Sequence, residues 1–147
     1  MPFLERAGKV FFAGGERAMI DLHMHSNYSD DGEFTPLELV EQCSVQGMDL
    51  MAITDHNCAR AAGEVREAAR ACGIPYLAGI EIDCTFEGAN FHMLGYGIDD
   101  ASPDFAKVEE NIRSQVKKAS MEMLVKTREL GLLVEEWEMR RLSEKSR

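Results

Sequence analysis

At 147 residues the chain is long enough for one domain with its own core, and 45% apolar with 29% charged residues is the balance of a soluble globular protein. A formal net charge of −10 excludes a broad electrostatic grip on long nucleic acid, yet leaves room for a short phosphorylated ligand wherever bound metal ions supply positive charge. No apolar run is long enough to span a membrane and no signal-peptide h-region opens the chain, so the expectation is a cytoplasmic protein.

Residues 1–18 form a mixed segment containing Gly14-Gly15 and read as an N-terminal extension. Ile20 to Met24 then alternates apolar and polar residues as a short strand does, and stops at a loop rich in Ser, Asn, Asp and Gly. Thr35-Pro36-Leu37-Glu38 carries three agreeing helix-start signals: a capping residue, proline at the first position and a glutamate that completes a capping box. That helix should run to about Gln46, bury Leu37, Val40 and either Cys43 or Val45, and stop at Gly47. Asp49 to Thr54 is a second strand, Ala59 to Cys72 a second helix, and Pro75 to Ile82 a third strand. Strand and helix alternating at these lengths predict parallel strands with right-handed crossovers, hence an α/β fold.

The rhythm changes after Ile82. Asp83 to Phe86 and Asn90 to Tyr96 flank Glu87-Gly88-Ala89 and predict a hairpin. Ser102-Pro103-Asp104 opens a helix that could extend to Leu130, with an apolar stripe of Phe105, Val108, Ile112, Val116, Ala119, Met123 and Leu130 and a basic face expected to be solvated. A charged helical tail from Glu135 holds Trp137. Cys43, Cys58, Cys72 and Cys84 are too widely spaced for a CxxC pair and read as reduced, small hydrophobes.

All four histidines fall at predicted strand ends or in the hairpin. His23 and His25, two apart on a strand, present two imidazoles on one face. His56 closes the second strand within Thr54-Asp55-His56, Glu81 lies near the end of the third, and His92 sits in the hairpin. In parallel α/β architectures the carboxyl ends of the strands share one face, where ligands collect. Four imidazoles with Asp30 and Glu81 make a mixed nitrogen and oxygen set suited to Mn, Fe or Zn, with Glu81 able to bridge two ions. Asp55 is better read as orienting a neighbouring group than as a ligand. Singly, each has a plainer reading: a hydrogen-bonded strand-end histidine, an Asx-turn aspartate at Asp30, a salt-bridge glutamate at Glu81.

The stretches DLHMHSNYSDDG, ITDHN, GIEI and FHMLGYG closely resemble the polymerase and histidinol phosphatase (PHP) domain family, and within it the phosphoesterases that act on nucleoside 3′,5′-bisphosphates and short oligoribonucleotides. The match spans roughly residues 19–130. The resemblance implies the N-terminal part of a distorted seven-stranded (β/α) barrel over residues 19–100, followed over 101–147 by the start of a helical insertion. It places His23, His25, Asp30, His56, Glu81 and His92 as metal ligands, with His23, His25 and Glu81 on one of two to three ions, Asp30 and His56 on a second, and Glu81 and His92 sharing in the third. Asp30, His56 and Glu81 would carry the catalytic metal chemistry. The implied reaction is hydrolysis of phosphate esters of small nucleotides or short oligonucleotides by metal-activated water.

One departure stands out. The family's later motifs, a histidine after the helical insertion and an Asp-x-His on the last strand, have no counterpart after His92. A partial barrel with open edges would favour self-association as a homo-oligomer. The rival expectation is therefore a truncated, inactive metal-binding fragment that self-associates; a polymerase-associated structural domain is a third, for which the chain has no polymerase segment.

Overall fold

The computed structural model describes residues 18–145, so the expected N-terminal extension lies almost wholly outside the described residues. Among the described residues the elements run β1 (Ile20–Met24), α1 (Pro36–Gln46), β2 (Leu50–Ile53), α2 (Ala62–Cys72), β3 (Gly79–Phe86), β4 (Ala89–Tyr96), α3 (Pro103–Glu129) and α4 (Glu136–Lys145). The architecture is mixed α/β. The described residues divide into two compact units, one ending at Ala101 and one beginning at Ser102.

In the first unit β1 and β2 pair in parallel, with Ile20 opposite Leu50 and Met24 opposite Ile53, and the Thr54 amide extends the ladder by donating to the Met24 carbonyl at 2.8 Å. The segment leading into β3 lies parallel to β2 on its other side. Met51 bridges to Tyr76 and His56 to Glu81, with the Asn57 amide donating to the Glu81 carbonyl at 2.7 Å. The carboxyl ends of β1 and β2 and the middle of β3 therefore reach the same edge. Sequence expectation split the third strand from the hairpin, but β3 continues without a break to Phe86 and pairs antiparallel with β4 from Gly79–Tyr96 to Phe86–Ala89. β1 and β2 form one two-stranded sheet and β3 and β4 another, linked by the isolated parallel bridge between His56 and Glu81. Glu87 and Gly88, at φ 50° and 80°, make the two-residue turn whose twist matches the strands. Gly79 is required where β2, β3 and β4 meet, since a Cβ there would stand 2.7 Å from the Thr54 methyl and 3.3 Å from the Gly95 carbonyl oxygen.

Helix α1 starts as its cap predicts. The Glu38 amide donates to Thr35 Oγ1 and the Thr35 amide donates back to the Glu38 carboxylate, with Pro36 in the first turn and Gly47 left-handed at the end. Its buried stripe is Pro36, Leu39, Val40 and Cys43, at spacings of three, four and seven, whereas Leu37 and Val45 are 52% and 82% exposed. The expected choice of Leu37 was thus off by half a turn. Helix α2 has no capping side chain at Ala61 and begins three residues later than expected. The two helices pack on each other and on β2, and Leu39, Val40, Cys43, Met51, Ile53, Val65, Ala69, Ile74 and Tyr76 form the core. The four cysteines form no disulfide; Cys43 and Cys58 are buried and Cys72 is exposed.

In the second unit Ser102 caps α3, and Leu124 is its buried residue while Val116, Met123 and Leu130 are exposed. The covered line of α3 therefore passes through Leu124 rather than Met123. The basic residues of α3 are largely paired along the helix, Lys107 with Asp104 and Arg113 with Glu109 at 2.8 and 3.0 Å. Trp137 of α4 is exposed, with the Arg141 guanidinium over its ring. No helix among the described residues is long and apolar enough to cross a membrane.

Candidate metal centre

The strand ends bring the four histidines into a row. Ring centroids lie 5.0 Å apart from His23 to His25, 4.7 Å from His25 to His56 and 4.8 Å from His56 to His92. The pleat explains each step: His23 and His25 share a face of β1, and Glu81 and Asp83 share a face of β3 with His92 directly opposite Asp83 on β4.

Glu81 is the hub. Its side chain is 4% exposed, and one carboxylate oxygen lies 2.7 Å from His23 Nε2, 2.8 Å from His25 Nε2 and 3.9 Å from His56 Nε2. Its other oxygen lies 2.7 Å from His92 Nδ1. Burial alone would raise the Glu81 carboxyl, but the His23 hydrogen bond and the charges of His56, His23 and His25 outweigh it and hold the group below its ordinary range.

The loop after β1 is tied down by buried polar groups. The Asp55 carboxylate accepts from the Ser26 amide at 2.6 Å and the Ser26 hydroxyl at 2.7 Å, and the Ser29 hydroxyl accepts from the His56 amide at 2.6 Å. Burial pushes the Asp55 carboxyl up, against the Ser26 bonds that favour its charge. Gly32 closes the loop against Ser26 so tightly that a Cβ would lie 1.9 Å from the Ser26 carbonyl oxygen. The result brings Asp31 to the histidines, both oxygens 2.9 Å from His25 Nδ1 and one 3.6 Å from His56 Nε2. Burial would raise the Asp31 carboxyl, yet the His25 bond and the charges of His25 and His56 hold it low. Asp30 is exposed and belongs to no ligand grouping, whereas its neighbour Asp31 does.

Three groupings of potential ligand atoms result: His23, His25 and Glu81; His25, Asp31 and His56; His56, Asp83 and His92. Of the residues singled out from sequence, His23, His25, His56, Glu81 and His92 come together here and Asp55 lies beneath them. Asp31, Asp83, Ser26, Ser29 and Asn57 were not singled out; the doubled aspartate before Gly32 was the available signal for Asp31, and period-two spacing from Glu81 for Asp83.

His25 tests whether cations suit these residues. A carboxylate only accepts, so His25 Nδ1 must donate to Asp31, and in the neutral form in which imidazole ligates a metal Nε2 then carries a lone pair. That buried Nε2 lies 2.8 Å from a Glu81 oxygen yet makes no hydrogen bond. A buried ring nitrogen with an unpartnered lone pair beside a carboxylate is a place that a bound cation would satisfy. The donor set therefore fits divalent metal. An open cleft of about 420 Å³ lined by His23, His25, Asp31, Gly32, Glu33 and Phe34 adjoins it.

The comparisons with known proteins agree with this geometry. Over 96 residues the chain is 40% identical to a 3′,5′-nucleoside bisphosphate phosphatase of Chromobacterium violaceum, covering 65% of this chain and 33% of that protein. Over 112 residues it is 31% identical to a 5′-3′ exoribonuclease of Haemophilus influenzae, covering 76% and 40%. The chain thus spans about a third to two-fifths of the length of these curated relatives. Among solved structures, an amidohydrolase from Chromobacterium violaceum with bound sulfate and no metal superposes with a TM-score of 0.69 at 34% identity, covering 80% of this chain and 41% of that one. A protein named as a metal-dependent phosphoesterase from Bifidobacterium adolescentis gives 0.61 at 33%, covering 67% and 34%. The PHP domain profile matches residues 21–136, most of the chain, and the chain belongs to the PHP domain family.

Proposed function

We propose that the chain is a metal-dependent phosphoesterase acting on phosphate esters of small nucleotides or short oligonucleotides. The observation that carries this reading is the convergence of four histidines on the buried carboxylate of Glu81, with His25 Nε2 left without a hydrogen-bond partner. The relatives named as nucleoside bisphosphate phosphatase and exoribonuclease support the substrate class.

In this reading His23, His25 and Glu81 hold one Mn, Zn or Fe ion, and His25, Asp31 and His56 lie around a second. Glu81 and His92 contribute to a third. Asp31 takes the role expected of Asp30, because it is the acid that faces His25 and His56. The chemistry such ions supply when bound is neutralisation of phosphate oxygens and activation of the attacking water. Asp55 holds the loop through Ser26 so that the ligands keep their spacing. Phe34, 45% exposed beside the cleft, offers a flat apolar face for a nucleobase. Residues 19–100 represent the first strands of a PHP-type barrel and residues 101–147 the start of a helical insertion. The protein would work in the cytoplasm, and the exposed Phe86, Phe91, Met93 and Tyr96 of the hairpin would favour a homo-oligomer.

The test is metal content and turnover of a nucleoside 3′,5′-bisphosphate by the purified chain. Wild type should retain Mn or Zn through gel filtration, and His23→Ala combined with His25→Ala should abolish binding. Unchanged metal in the double variant refutes the ligand set; metal without turnover refutes the enzyme reading and leaves a metal-binding module.

A further inference from the structure

Asp83 lies outside the ligand set proposed above, yet it is held in place. Its two oxygens are placed by different partners: one lies 2.9 Å from His56 Nδ1, and the other accepts from the Asn57 side-chain amide at 2.8 Å. The Asn57 side-chain oxygen in turn accepts from the Asp83 backbone amide at 3.0 Å, so the two residues clamp each other reciprocally. Asn57 adopts a left-handed backbone, φ 54°, a region in which asparagine is favoured among residues with side chains. The turn directly after His56 is therefore shaped around this clamp.

The consequence falls on His56. A carboxylate has no hydrogen to give, so the bond requires His56 Nδ1 to carry the proton and leaves Nε2 as a lone pair. That lone pair lies 3.6 Å from the Asp31 carboxylate and 3.9 Å from Glu81, too far for hydrogen bonds and of the order of the separation between two donors on one ion. His56 could ligate through both nitrogens only as an imidazolate. His92 Nε2, 3.5 Å from the same Asp83 oxygen, completes the surroundings of this carboxylate.

We infer that Asp83, clamped by Asn57, is a positioning residue that selects the tautomer of His56 and aims its Nε2 at the site shared by His25 and Asp31. The inference rests on His56 being a metal ligand, as proposed above, but adds a role for two residues outside that set. The side chain of Asp83 is about half exposed, so its replacement spares the core.

The experiment has two arms. Ring-nitrogen NMR of the metal-free chain, with His56 assigned through His56→Gln, should show the Nδ1–H form in wild type and a mixture of tautomers in Asp83→Ala. Titration with Co²⁺ should show affinity at the site lowered about 10–100-fold in Asp83→Ala with the stoichiometry unchanged, the usual effect of removing a partner of a ligating histidine. Asp83→Asn, whose amide oxygen still accepts from Nδ1, should recover part of both, and Asn57→Gly, which tolerates the left-handed backbone, should show a smaller loss. Unchanged tautomer and affinity in Asp83→Ala overturn the inference while leaving the ligand reading intact. Loss of a whole Co²⁺ equivalent also overturns it, by making Asp83 a direct ligand. A wild-type chain that binds no Co²⁺ defeats the ligand reading itself, and with it this one.

Discussion

The close approach of Gly32 to Ser26 determines how the loop after β1 closes, and with it which of two adjacent aspartates reaches the histidines. Any side chain at residue 32 would overlap the Ser26 carbonyl, and Ser26 is itself fixed by two bonds to buried Asp55. Within that constraint Asp31 meets His25 while Asp30 stays exposed. Asp31→Ala should therefore weaken Mn²⁺ or Co²⁺ binding about tenfold or more, whereas Asp30→Ala should leave it within about twofold. Isothermal titration of the two variants side by side checks this, and equal losses would show that the loop does not discriminate between them.

At the scale of the element, α1 shows how caps and faces carry different information. Its ends were readable because a capping box and a C-terminal glycine act within four residues of sequence. The buried face was not, because Leu37, Leu39, Val40 and Val45 offer more than one apolar stripe and only the position of β2 and α2 chooses between them. Leu39→Ala should accordingly cost about 2–4 kcal/mol in urea denaturation, and Leu37→Ala less than about 0.5 kcal/mol. A similar cost for both would mean that the helix is rotated from this position. The continuous β3 is a related case. The Gly88 turn marked the hairpin from sequence, but nothing local indicates that β3 runs unbroken from Gly79 to Phe86 or that Glu81 bridges to His56.

For the molecule as a whole, the site sets the dependence of stability on acid. Glu81 and Asp31 have folded-state carboxyl groups held below their ordinary values. Each therefore stabilises the fold fully above the ordinary carboxylate range, and that contribution is lost as pH falls through the depressed values. Asp55, raised by burial, works in the opposite sense and gains stability when it protonates. Urea midpoints should be flat near neutrality and fall below about pH 4–5, more steeply in Asp55→Asn, which removes the compensating gain. Mn²⁺ at about a hundred times its dissociation constant should add about 2.7 kcal/mol at neutral pH, and less at the same metal concentration as protons compete for the ligands at lower pH. An increment that does not shrink as the pH falls would show that no protonatable group is a ligand.

The sequence alone determined what depends on near neighbours. The strand-end placement of His23, His25 and His56, the hairpin carrying His92, the caps of α1 and α3 and the family all follow from motifs a few residues long, whereas Glu81, expected near a strand end, lies near the start of β3. Only the tertiary structure decided the choice of Asp31 over Asp30 as the acid facing the histidines, the clamp of Asn57 on Asp83, and the burial of Ser26 and Asp55 beneath the site. The Ser26–Asp55 and Asn57–Asp83 bonds depend on where β1, β2 and β3 lie against one another, at separations of 29 and 26 residues, and the Asp31–His25 contact, six residues apart, depends on the loop that the first of them holds. Pairing at that range is set by how the core packs, and no local pattern encodes it.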